Sequence, residues 1–143
     1  MVRTNPGQPF SELKNIISGG ELSRILLAIK SVLSKFDEIP SLVFDEIDTG
    51  VGGKVAFVVG KKLKSISMQQ QVLCITHLAQ VAAFSDIHHI VKKTSSFDDT
   101  HITVKTISNQ EKVNEIARMI GGEHVTNTAI EHAKDLIGKA RVY

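Results

Sequence analysis

The sequence predicts an α/β fold in which parallel strands are joined by a crossover helix, and three observations carry that reading. Two short apolar runs, 42–44 and 71–76, have the length of buried strands and are bounded by polar or turn residues. Between them, Val55, Val58, Val59, Leu63 and Ile66 recur at helical spacing. A strand, a helix and a second strand in that order form a βαβ unit, with parallel strands and a right-handed crossover. The third observation concerns chemistry. Asp45 and Glu46 follow the first run at once, and His77 stands just past the second, so all three are expected along one sheet edge.

Composition bounds what such a fold can do. The chain has 143 residues, is 42% hydrophobic and 22% charged, and so has enough apolar content to bury a core as a single domain spanning 1–143. A net charge of +2, with Lys and Arg dispersed, gives no independent argument for nucleic-acid binding. The single cysteine, Cys74, has no intrachain partner, which suits a reducing compartment. No apolar run reaches the roughly 18 residues that cross a bilayer, and the first residues lack a signal-peptide core, so a cytoplasmic location without a membrane partner is expected. Repeats, low-complexity segments and coiled-coil heptads are absent from the sequence.

Residues 1–10, with Asn5, Pro6, Gly7 and Pro9, read as a turn-rich lead-in, followed by 11–17. A helix comes next, with Leu22, Ile25, Leu26, Ile29, Val32 and Leu33 sharing one face. Ser18 and Glu21 form a capping box at its start. The run at 42–44 follows Pro40 and suits a strand buried on both faces. Gly50, Gly52 and Gly53 then allow a sharp turn before the crossover helix, whose Lys54, Lys61, Lys62 and Lys64 read as its wet side. Residues 78–84 suit a short helix. Residues 87–93 and 100–107 suit a β-hairpin at the edge, closing through a polar loop at 95–99. Ser108 and Glu111 form a second capping box, opening a helix with Val113, Ile116, Ala117 and Ile120 that Gly121 and Gly122 end. A last helix, about 126–139, is expected to bury Ala129, Ile130, Ala133, Leu136 and Ile137.

Two stretches carry the functional reading. An apolar strand, an acidic pair, a glycine turn and a helix make up the Walker B arrangement of nucleotide-hydrolysing sites. The same order also describes a solvated strand end before a helix, and the stretch alone does not choose. At 17–21, reading ISGGE, the capping box explains Ser18 and Glu21. It leaves Gly19 and Gly20 unexplained, since glycine costs about 1 kcal/mol per helical position. Exposed amides at a helix start suit a phosphate, so the glycines point to a ligand. His88, His89, His101, His124 and His132 read as structural, and none has zinc-site spacing.

The ordered set ISGGE, LVFDEID and CITH resembles the carboxy-terminal half of an ABC-type, P-loop NTPase head. With Asn5-Pro6-Gly7, the run from Asp45 to Gly53, Thr76-His77-Leu78-Ala79-Gln80 and Ala117-Arg118-Met119-Ile120-Gly121-Gly122, it resembles the SMC-like branch that serves bacterial DNA double-strand break repair and recombination. That resemblance implies roles for particular residues. Ser18, Gly19, Gly20 and Glu21 match the signature motif that meets the ATP γ-phosphate on an opposing head. Asp45 matches the acid that holds Mg²⁺, usually through water, Glu46 the base acting on the attacking water, and His77 the switch histidine at the γ-phosphate. Asp48 and Gly50 fall in the D-loop that crosses between heads. Ile47 and Gly52 depart from transporter patterns, which place proline and aspartate there, and so argue against the alternative of a transporter's nucleotide-binding fragment. A non-catalytic interaction module is the other alternative. No G-x-x-x-x-G-K-[ST] occurs, so the resemblance implies a fragment whose amino-terminal Walker A lobe and coiled coil lie elsewhere. Its implied partners are that lobe, a second head in a homodimer, and DNA bound by the complete, nucleoid-associated protein.

Overall fold

A computed structural model describes residues 7, 18–33, 39–95 and 99–143. The expected lead-in at 1–10 (apart from Gly7), the stretch 11–17 and the hairpin tip at 96–98 lie outside the described residues. Helix α1 spans Gly19–Leu33, strand β1 Ser41–Phe44, helix α2 Gly53–Ser67, strand β2 Gln71–Cys74 and the short helix α3 Ala79–Ala82. Strands β3 (His88–Ser95) and β4 (Thr100–Ile107) follow, then helices α4 (Asn109–Gly121) and α5 (Asn127–Ala140).

The βαβ expectation holds. Strands β1 and β2 pair in parallel, with Ser41 opposite Gln71 and Phe44 opposite Cys74, and α2 connects them. Strands β3 and β4 form the antiparallel hairpin, pairing His88 with Ile107 at the base and Ser95 with Thr100 near the tip. Both capping boxes form. Ser18 Oγ accepts from the Glu21 amide at 3.3 Å while Glu21 accepts from the Ser18 amide at 3.0 Å. At α4 the matching distances are 3.3 Å and 2.8 Å, and Gly122 ends the helix at φ 77°.

Two apolar clusters share α2. Leu42 and Phe44 of β1 pack on Val59, Leu63 and Ile66, and Leu27 of α1 joins them. On the other side, α3, α4 and α5 enclose Ile116, Ala117, Ala133 and Ile137, and the Phe57 ring meets Phe84 edge-on at 4.9 Å. Gly60 brings these layers together: a Cβ there would lie 2.5 Å from the Phe84 ring. Lys112 is buried at the seam, and its ammonium donates to the carbonyl oxygens of Ala83, at 3.1 Å, and Ser85.

Three expectations about burial fail. The α1 face from Leu22 to Leu33 is uncovered, each of its six residues 38–73% exposed, and the helix packs instead through Leu27 and Gly20. Strand β1 is covered on one face only: Leu42 and Phe44 are buried while Val43 is exposed, as are Leu73 and Ile75 beside it. On α2, Val55 and Val58 are likewise exposed. These residues do share helix faces and a sheet face as their spacing requires, but no segment among the described residues covers them.

Candidate functional site

The site lies where β1 and β2 end. Asp45 and Glu46 leave β1 at the surface, and Asp45 Oδ1 accepts from the Glu46 amide at 2.8 Å. Glu46 has φ 56°, the positive-φ conformation that side chains other than glycine, asparagine and aspartate seldom adopt. The turn this creates is closed by the Thr49 amide donating to the Glu46 carbonyl at 3.0 Å, and it drives Ile47 fully into the core. Gly50, at φ 72°, and Gly53, at φ 45°, then carry the chain into α2.

The first turn of α1 is fastened to this loop within the same chain. Ser23 Oγ donates to the Asp45 carbonyl at 2.9 Å, and the Arg24 guanidinium donates to the carbonyls of Ile47 and Thr49 at 3.1 and 2.8 Å. Contact is closest at the two glycines. A Cβ on Gly19 would stand 2.7 Å from Glu46 Oε2, and one on Gly20 would stand 2.7 Å from the Glu46 carbonyl and 3.0 Å from Thr49 Cβ. Close packing therefore gives Gly20, which is buried, a reason to be glycine that needs no ligand. Ser18, Gly19 and Glu21 remain exposed. Hydrogen bonds from the Ser18 amide and then its hydroxyl lower the pKa of Glu21, whose carboxylate is thus engaged as a cap.

His77 emerges past β2, on the same edge as the acidic pair, as its sequence position requires. Asp48 joins it unexpectedly. The resemblance places this residue in a loop crossing to another head, yet its side chain is turned inward and only 2% exposed. Asp48 Oδ2 accepts from the Thr76 hydroxyl at 2.5 Å and the His77 amide at 2.9 Å, and lies 3.2 Å from His77 Nδ1. Burial pushes the Asp48 carboxyl up, but these bonds and the adjacent ring outweigh it and leave the pKa below the ordinary aspartate value. The DEID spelling shows an acid at position 48; only its buried partners show which way it points.

Among the described residues, no three His, Cys, Asp or Glu side chains are grouped to hold a metal. Asp45, exposed and with one oxygen engaged by the neighbouring amide, has the chemistry of a single carboxylate ligand to an ion that keeps most of its water, as Mg²⁺ does. No described helix is long and apolar enough to cross a membrane.

No protein-family model matches the chain. Of the solved structures, a chain from work on ATP-driven dimerisation and DNA-stimulated activation of SMC ATPases is similar over 82% of this chain and 70% of its own length, with a TM-score of 0.51 and 24% identity. The parallel βαβ unit, hairpin and helices thus share the fold of that SMC ATPase chain. Sequence narrows the class. The chain is 48% identical to the DNA repair protein RecN of Bacillus subtilis over 140 residues, 44% to that of Treponema pallidum over 137, and 40% to that of Streptomyces coelicolor over 141. These matches cover 96–99% of this chain but 24–25% of the relatives. The chain is thus similar to a segment spanning about a quarter of the length of these RecN proteins.

Proposed function

We propose that this chain is one lobe of a RecN-type ATPase head, and that the complete protein hydrolyses ATP with Mg²⁺ while acting on DNA in double-strand break repair. The observation that carries this is the convergence of Asp45, Glu46 and His77 at adjacent ends of two paired parallel strands. In this reading Asp45 holds the ion through its water shell. Glu46 takes the proton of the attacking water, and His77 faces the terminal phosphate. Ser18 and Gly19, exposed at the start of α1, meet the nucleotide of an opposing head, and Gly50 lies in the loop between heads. Gly20 serves packing inside its own chain, and Glu21 caps the helix.

The uncovered apolar surfaces fit the same proposal. Val43, Leu73 and Ile75 leave one face of the sheet bare, and the α1 face from Leu22 to Leu33 is open as well. The rest of a protein four times as long includes, in this reading, the lobe that carries the phosphate loop and covers them. The 143 residues then form a single unit that does not turn over ATP alone, and the complete protein is cytoplasmic, bound to the nucleoid and joined to a second copy through its heads.

The test uses the complete protein. Glu46→Gln is expected to keep ATP binding and slow hydrolysis about 10²–10⁴-fold, the range for losing a general base. Asp45→Asn is expected to weaken Mg²⁺-dependent binding. Equal loss of nucleotide by both variants, with no ATP-bound state accumulating in Glu46→Gln, refutes the division of roles.

A further inference from the structure

The contact between the buried Asp48 carboxylate and the His77 ring bears on which ring nitrogen carries the proton. An ionised carboxylate can only accept hydrogen bonds, and Asp48 Oδ2 already draws donors from the Thr76 hydroxyl and the His77 amide. Nδ1 lies 3.2 Å from it, where the carboxylate's charge favours a ring proton over a lone pair. A neutral imidazole has one ring proton, so Nε2 is left bare, on a side chain that is 72% exposed.

We propose that Asp48 is the positioning residue for His77, fixing the Nδ1–H tautomer and aiming Nε2 outward from the strand ends. In this arrangement Nε2 is an acceptor while the ring is neutral. It becomes a donor to a phosphoryl oxygen only on taking a second proton, and Asp48 then faces the resulting charge from behind the ring. The tautomer stands on the geometry alone, whereas its use toward phosphate rests on the ATPase reading above. A purely structural role, tying the exit of β1 to that of β2, requires only the Thr76 and amide bonds and places no demand on the ring.

Nitrogen-15 NMR of the histidine-labelled chain, at a pH where the rings are neutral, separates the two because protonated and bare ring nitrogens resonate far apart. The native chain is expected to show Nδ1–H. Asp48→Asn keeps an acceptor oxygen and is expected to retain that tautomer, while Asp48→Ala, shown to be folded by its amide spectrum, is expected to revert to the Nε2–H form that unconstrained imidazoles favour. Nε2–H in the native chain, or Nδ1–H surviving in folded Asp48→Ala, overturns the proposal. In the complete protein, Asp48→Ala is expected to lower kcat about 10–100-fold with little change in KM, and Asp48→Asn to recover part of it. Unchanged kcat in Asp48→Ala overturns the positioning role. A native complete protein that turns over no ATP refutes the ATPase reading and leaves the tautomer assignment standing.

Discussion

Gly20→Ala isolates the contact that binds the first turn of α1 to the acidic loop. The new Cβ would stand 2.7 Å from the Glu46 carbonyl, 3.0 Å from Thr49 Cβ and 3.1 Å from the Arg24 guanidinium. Two of these are not flexible chain ends, so the helix or the loop must move, at about 1–3 kcal/mol for an overpacked site. Alanine's better helix propensity returns at most about 1 kcal/mol. Gly138, in α5, is the control: it is also helical, and a Cβ there meets nothing within 4 Å. Gly138→Ala should therefore gain stability by about 0.5–1 kcal/mol, and the two variants should differ by about 1–3 kcal/mol. With a urea m-value of about 1–3 kcal/mol/M, their unfolding midpoints should separate by about 1 M, Gly20→Ala being the lower. Coincident midpoints would refute the close packing at Gly20 and restore the view that both glycines are there for a ligand.

Three further expectations concern stability and reactivity. Burial lowers the pKa of Lys112 to about 8, so between pH 8 and its unfolded value near 10.5 the unfolded chain holds the extra proton and this group makes stability rise with pH. Urea titrations at pH 8 and 9 should show that rise, and Lys112→Met should remove it. Burial pushes the Cys74 thiol up to about 12, with Asp48 and Asp45 adding to the shift, so alkylation at pH 8 should run about 10³-fold slower than in the urea-unfolded chain. Comparable rates would show that the thiol lies outside the shielded environment. Ser108→Ala removes the acceptor for the Glu111 amide and should lower stability by about 1 kcal/mol, measured by thermal or urea unfolding.

What the sequence made legible was short in range. Each capping box is complete within four residues, and both formed. The βαβ unit follows from strand length and helical spacing alone, and it puts Asp45, Glu46 and His77 on one edge. Periodicity also groups Leu22, Ile25, Leu26, Ile29, Val32 and Leu33 correctly. It cannot say whether a covering segment lies within these residues, and here the helix turns Leu27 to the core instead. Gly20 is ambiguous in sequence for a related reason. A glycine reports that a Cβ is unwelcome, not whether a ligand or the chain's own loop is the neighbour. The direction of Asp48 likewise depends on Thr76 and His77, 28 and 29 residues away.

The left-handed backbone at Glu46 bears on what variation position 46 can accept. Glycine or asparagine would sit there more comfortably, by about 1 kcal/mol, so backbone ease alone would drift the position toward them. Glutamate resists that drift only if its carboxylate is needed where the turn presents it, as the base proposed above would be. A library of substitutions at position 46 should therefore split its winners. Selection for stability should enrich glycine and asparagine, and selection for repair by the complete protein should return glutamate.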